Sequence, residues 1–425
     1  MPSDALTQWL DLAPDPLPLP EGKRWHVFIS YRSADRPWAL SLYDVLVHLE
    51  YKTFLDQFAL SPADQLANTL GDSLDQSLSG IVIWSSAYVT SEWTADELNN
   101  LHQRERGRGG FRYVIAKIDR TEVTGLQAGK IQVDFSNSPE GPCGSNLLRL
   151  LYGLHGQPMS SMAVQLAARV DEQTRDSLVS IRAACNNGDA EELQRLSEST
   201  DLAWLTSPLL GCEVAQSLVS LDKNELARSV LERLIVRFPK SPRPQQLLGL
   251  AYRRERNWRD AQRILGRLYE SKEMGPETLG LYASTWMQRY QAEKNPLFLR
   301  RSRNMYLEAF RAAPDSYYTG INAASKSLLL GEKDQAAQLA AKVQTLVGTA
   351  PVSGDYWKTA TVAEVQLLQT NYAEAAALYE AAVSENPLAV GDHKSTWAQA
   401  SILLEALAAS PADSERFRAI FAHLL

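Results

Sequence analysis

The chain has 425 residues, 45% of them hydrophobic and 22% charged, with a formal net charge of −7. It is longer than one hydrophobic core usually supports and too apolar for a largely disordered chain, so two or three folded domains are expected. Up to residue 158 there are 13 basic against 19 acidic residues, and beyond it 30 against 31, so neither part is built to grip a polyanion such as nucleic acid.

Residues 1–23 read as a proline-rich lead: Met1 to Gly22 holds five prolines and four acidic residues and lacks the basic and apolar regions of a secretory signal. His26 to Tyr31 (HVFISY) is then a short apolar, β-rich run, and similar runs recur at Lys52 to Leu55, Gly80 to Ser85 and Tyr113 to Ile118, with helical patterns between them. Near-continuous apolar strands alternating with helices predict a parallel sheet of about five strands, covered on both faces. A Pro/Gly/Ser cluster at Pro139 to Ser145 interrupts this pattern, and the amphipathic stretch Asn146 to Leu154 reads as its last helix, giving a first domain over residues 24–157.

Within that domain two motifs are set aside. Gly71-Asp72-Ser73-Leu74 spells a lipase-type GDSL, but it sits in a helical pattern (Leu66, Leu70, Leu74, Leu78) and no Asp-x-x-His partner follows. Gly107 to Gly110 follows a helix and not a strand, so it is no dinucleotide fingerprint, and Arg104, Arg106, Arg108 and Arg112 read as a solvated helix end.

Beyond residue 160 the β signal gives way to helical periodicity, which predicts a strand-free helical-repeat domain over residues 160–425. On a 34-residue repeat template with small residues where paired helices touch, Ala363, Ala375, Tyr379, Ala382 and Pro387 fall on positions 8, 20, 24, 27 and 32. Ala215, Ala227 and Pro239 fit one earlier repeat, and Leu248, Gly249, Tyr252 and Ala261 the next. Tyr306, Ala309 and Pro314 close another that carries an insertion, and Ala324 and Ala336 open a further one. The three cysteines, Cys143, Cys185 and Cys212, are far apart and without CxxC spacing, so they read as reduced, with no metal site. No apolar run approaches the roughly 18 to 20 residues that span a bilayer, so no membrane partner is expected and a cytoplasmic location is.

Four blocks in the first domain agree in order and spacing with one family. His26 to Asp35 (HVFISYRSAD) resembles the first strand and following loop of TIR (Toll/interleukin-1 receptor) domains. Phe54-Leu55-Asp56 with Leu60-Ser61-Pro62 resembles the second strand and BB loop. Gly80 to Glu97 (GIVIWSSAYVTSEWTADE) resembles the fourth strand with its Ser-x-Trp-x-x-x-Glu helix start, and Tyr113 to Asp119 the fifth. The helical half is similar to TPR repeats, and Pro314 to Gly331 also resembles the TRAF-binding region of ASK-type MAP kinase kinase kinases. The resemblance implies a flavodoxin-like α/β TIR domain followed by a TPR-type solenoid.

It also implies an activity, cleavage of the nicotinamide–ribose bond of NAD+, which is a substrate and not a cofactor; no cofactor or metal is implied. Glu97 would be the catalytic carboxylate. Trp93, four residues earlier and on the same helical face, would line the pocket beside Tyr31, with Ser91 at an N-cap-like position and Arg32, Ser30 and Asp56 as further substrate contacts. Nicotinamide leaves as a neutral molecule, so one carboxylate stabilising the ribosyl cation is chemically sufficient. Read without the family, Trp93 is a half-buried packing residue and Glu97 a surface carboxylate. The BB loop reads Pro62-Ala63 where the family has Pro-Gly, and Thr94 stands where it often has cysteine. The resemblance further implies a homo-oligomer through TIR and TPR contacts, a protein trigger bound by the TPR half, and a cell-suicide role against phage or stress. The alternative is a non-catalytic TIR/TPR adaptor.

Overall fold

In the computed structural model the described residues are 12–32, 35–55, 66–89, 94–107, 110–124, 129–130, 132–136, 141–142, 144–239, 241–271, 273 and 275–424, with the backbone alone for residues 37, 48, 66–70, 94–99 and 144. The chain divides into two compact units: residues up to 180 with 198–211 and 237–243, and residues 181–197 with 212–236 and 244–425.

The first unit is built on a parallel sheet. Its strands are β1 (Trp25–Ser30), β2 (Thr53–Phe54), β3 (Ser77–Trp84), β4 (Arg112–Lys117) and β5 (Gln132–Asp134), in the order β2-β1-β3-β4-β5. All four pairings are parallel. Helices α1 (Arg36–His48), α2 (Leu66–Asp75), α3 (Ser86–Val89), α4 (Thr94–Arg106) and α5 (Gly144–His155) alternate with them. The three central strands arise where the apolar runs predicted them. Val27, Phe28 and Ile29 are successive residues yet all at most 8% exposed, as a strand covered on both faces requires. Phe28 and Phe54 stack at 5.1 Å between centroids across the β1–β2 pair.

Two readings need correction here. The runs taken as the family's fourth and fifth strands are the third and fourth strands of this sheet, and the fifth is Gln132–Asp134, three residues with one buried side chain, too short and polar to give a periodic signal. The helical pattern through Leu78 also ends early: α2 stops at Asp75, and Leu78 lies in β3. Ser73 of the GDSL is buried within α2, and its carbonyl accepts a hydrogen bond from Ser77 Oγ at 2.7 Å, so it presents no nucleophile to solvent.

Residues of the proline-rich lead are tied down by hydroxyls of this unit. Tyr51 donates to the Pro14 carbonyl at 2.7 Å and Tyr152 to the Leu12 carbonyl at 3.1 Å. At the other end of the unit, Asp171 caps α5: Ser145 donates its backbone N–H at 3.2 Å and its hydroxyl to that carboxylate.

The remaining helices are α6 (Ser161–Asn186), α7 (Ala190–Leu196), α8 (Leu202–Leu205), α9 (Leu209–Ser220), α10 (Asn224–Arg237), α11 (Pro242–Arg254), α12 (Trp258–Glu270), α13 (Pro276–Glu293), α14 (Pro296–Ala312), α15 (Tyr317–Leu329), α16 (Lys333–Val347), α17 (Tyr356–Leu368), α18 (Tyr372–Glu385), α19 (Val390–Ala406) and α20 (Pro411–Ile420). Among the described residues no strand follows Asp134. From α9 onward they form consecutive pairs, and the small residues picked out by the template sit where the pairs touch: Ala215, Ala227, Ala261, Ala324, Ala363, Ala375 and Ala382 are at most 1% exposed. The insertion is accommodated as longer helices, α13 with 18 residues and α14 with 17.

The pairs share a turn that the template lacks. Gly188, Asp222, Arg256, Lys294, Gly331, Thr370 and Ala408 all have positive φ between 51° and 80°, and each stands in the turn within one helix pair. At Asp222, Arg256, Thr370 and Ala408 the left-handed residue and its successor donate back to the last turn, as in Asp222 to the Val219 carbonyl and Lys223 to the Leu218 carbonyl. This is the hydrogen-bond pattern of a Schellman cap. Five of the seven residues carry a Cβ, which disfavours that conformation. Arg256→Gly should therefore raise the unfolding free energy by about 0.5–1 kcal/mol, read as a shift of the denaturant midpoint with unchanged slope.

Candidate functional site

In the order β2-β1-β3-β4-β5 the chain leaves β1 toward one edge of the sheet and returns past it to β3, so β1 and β3 flank the topological switch point, where open α/β sheets bind ligands beyond their carboxyl ends. The residues that follow β1, β3 and β4 are tied together at that edge. Asp35, at the start of α1, accepts a hydrogen bond from Ser85 Oγ at 2.6 Å, and Ser85 Oγ in turn accepts from the Tyr88 backbone N–H at 3.0 Å. Ser30 Oγ and the Tyr88 hydroxyl share a hydrogen bond at 3.0 Å, and the Arg32 guanidinium lies over the Tyr88 ring, 5.1 Å from its centroid. Tyr88 is fully buried, with Trp84 5.7 Å away.

The loop after β4 joins through Asp119. Its carboxylate accepts from the Ser86 N–H at 2.7 Å and the Thr121 N–H at 2.8 Å. Burial opposes ionisation of this carboxyl, but the hydrogen bonds from Ser86 and Thr121 outweigh it and hold the Asp119 pKa below the usual carboxylate range. Trp84 fixes the same loop by donating its indole N–H to the Glu122 carbonyl at 3.2 Å.

Of the residues read from the sequence, Ser30, Tyr31 and Arg32 thus stand at the carboxyl end of β1, at the switch point, with Ser30 and Arg32 both on Tyr88. Glu97 is the fourth residue of α4, in its first turn, on the segment that leaves the carboxyl end of β3. Ser91, Trp93 and Asp56, with the BB loop at 60–63, lie outside the described residues. Asp35, Ser85, Tyr88 and Asp119 were not singled out by sequence reasoning, although each lies in one of the four blocks. Tyr88→Phe tests the tie between the loops: it removes one buried hydrogen bond and keeps the ring, so a loss of about 1 kcal/mol in chemical denaturation is expected.

Among the described residues no group of three or more His, Cys, Asp or Glu side chains could hold a metal ion, and no helix is long and apolar enough to cross a membrane. Arg104, at the end of α4, is occupied by Asp75, donating to Oδ1 at 2.9 and 2.6 Å.

Comparison with known proteins supports both parts of the chain. The family model for the TIR domain matches residues 27–149, and that for Tetratricopeptide Repeats-Sensor matches residues 223–330. The chain therefore carries a TIR domain followed by a TPR-sensor domain. A curated relative from Brachypodium distachyon, described as a probable 2′ cyclic ADP-D-ribose synthase, is 34% identical over 77 residues, 18% of this chain and 34% of the relative. The chain thus spans about a third of that relative's length. Among solved structures, a thermophilic TPR protein of Thermus thermophilus is similar at 16% identity, covering 47% of this chain and 100% of that one with a TM-score of 0.37.

Proposed function

We propose that this protein hydrolyses NAD+ at the nicotinamide–ribose bond, with Glu97 as the carboxylate that stabilises the ribosyl cation. The observation that carries the reading is the placement of Glu97 in the first turn of α4, on the segment leaving β3, with Ser30, Tyr31 and Arg32 at the end of the neighbouring strand β1. The TIR match and the relative described as a cyclic ADP-ribose synthase support NAD+ as the substrate. In the overall reaction NAD+ and water give nicotinamide, ADP-ribose and a proton. The glycosidic electron pair leaves with nicotinamide, whose ring nitrogen thereby becomes neutral, so no general acid is needed; capture of the cation by a second nucleophile of the same molecule gives a cyclic product in place of ADP-ribose.

In this reading Arg32 meets the pyrophosphate, Tyr31 and Trp93 offer aromatic surface, and Ser30, Asp56 and Ser91 complete the contacts. The helical unit regulates the reaction through self-association or by binding a protein trigger, and NAD+ depletion in the cytoplasm serves as a cell-suicide response to phage or stress. The test is incubation of the purified full chain with NAD+ across a concentration series, with chromatographic separation of nicotinamide, ADP-ribose and cyclic products. Nicotinamide release that rises faster than linearly with protein concentration is expected. Absence of release at every concentration would favour a TIR/TPR adaptor.

A further inference from the structure

Within the second unit the first helices of successive pairs form a row, joined by hydrogen bonds from α11 to α13 and from α15 through α17 to α19, with Gly280 of α13 close against Tyr318 of α15. Gln246 of α11 donates to Thr278 of α13 at 2.8 Å, Ser325 of α15 to Glu364 of α17, and Gln399 of α19 to Glu364 at 2.8 Å. An open solenoid would end there with α19 facing solvent. Here the row returns to its own beginning.

The first turn of α19 meets the ends of α9 and α11. Asp392 accepts from Arg254 at 2.8 Å and from Ser220 Oγ at 2.6 Å, partners 138 and 172 residues away. Arg254 donates a second N–H to the Gly391 carbonyl. Both members of the Arg254–Asp392 pair are 7% exposed. On the rim Lys394 pairs with Asp222 at 2.5 Å. Gly391 permits the approach: a Cβ there would collide with the Val219 carbonyl oxygen and stand 3.0 Å from that of Ser220. Each side of the seam contributes one cation and one anion in crossed arrangement, so a shift along the helix would set like charges together.

We propose that this seam is a latch: the first turn of α19 closes the helical unit onto its own first repeats, and its release opens the inner face of α9 and α11. Two features suit it to switching. The polar contacts that close it come from one turn, residues 391–394. Its central interaction is a buried ion pair, whose attraction is largely offset by the desolvation of both charges, so the seam is specific in geometry while weakly biased in energy. Its use to control catalysis rests on the proposed NAD+ cleavage; the latch itself does not.

The experiment uses the full chain with Gly391→Ala, Asp392→Asn, and the double swap Asp222→Lys with Lys394→Asp. Gly391→Ala and Asp392→Asn should raise amide exchange in residues 216–223 and 390–395 at least tenfold and enlarge the radius of gyration in small-angle scattering, with helical circular dichroism kept. The double swap should remain wild-type in both. Unchanged exchange and scattering in the two single variants would overturn the latch, and so would loss of helicity throughout the unit, which would make the seam part of the core. Nicotinamide release by the same variants separates the two ideas: opening without a change in release rate removes the link to catalysis, and a wild-type chain that releases none overturns the enzyme reading alone.

Discussion

Glu97→Gln should lower the rate of nicotinamide release roughly 10²-fold or more, the loss found when a preorganised electrostatic group is removed from a transition state. The substitution keeps the shape of the side chain and nearly the same helix propensity, so α4 should form as before and only the negative charge is lost. If the carboxylate stabilises the ribosyl cation, the effect falls on kcat, because the substrate's ribose is uncharged and gains its positive character only as the bond breaks. An equal fall in kcat and kcat/KM is therefore expected, with thermal unfolding within about 0.5 kcal/mol of wild type. Trp93→Ala is less informative, since removing a large aromatic can damage packing and binding together. Wild-type protein, assembled and folded, that releases nicotinamide no faster than Glu97→Gln would exclude Glu97 from catalysis and leave the adaptor reading.

Much of the sheet was legible because covered parallel strands leave continuous apolar runs, as at His26–Tyr31 and Gly80–Ser85. β5 was not, because three residues at a sheet edge bury one side chain, Val133, and carry no period. In the helical half, Tyr379 and its alanines announced a repeat because close helix contact admits only certain sizes. The turns inside the pairs were not legible, because the left-handed position is held by Asp222, Arg256, Lys294, Thr370 and Ala408, where a glycine would have marked the boundary. At the candidate site the order of blocks led to Ser30, at the carboxyl end of β1, to Tyr31 and Arg32 just after it, and to Glu97, in the first turn of α4. The residues that tie its loops together, Asp35, Ser85, Tyr88 and Asp119, escaped because a hydrogen bond between loops 50 or 33 residues apart has no periodic trace in sequence.

Gln399→Leu should destabilise the helical unit by about 1–3 kcal/mol, the cost of taking one hydrogen-bond partner from each of two buried polar groups. The Gln399 amide stands between two charges: its Oε1 accepts from Lys326 Nζ at 3.1 Å and its Nε2 donates to Glu364 Oε1 at 2.8 Å. Asn322 and Ser325 complete the network, one accepting from Lys326 at 2.8 Å and the other donating to Glu364. Lys326 is only 3% exposed. Burial, only partly countered by Glu364, brings its pKa down to about 8. Leucine fills the space of the glutamine and offers neither group a partner, so chemical denaturation should register the loss without a change in slope. The same lysine fixes a pH signature. The unfolded chain holds its Lys326 proton up to the ordinary 10.5 and the folded chain only to about 8, so between those values the unfolded state binds more protons and stability rises with pH. The gain approaches about 3 kcal/mol, at 1.36 kcal/mol per pKa unit. Lys326→Met should abolish that rise, which is read as the difference between wild type and variant at pH 7.5 and 10. A difference independent of pH would mean that Lys326 keeps its proton throughout that range, and the relay through Gln399 would then hold a fully charged pair.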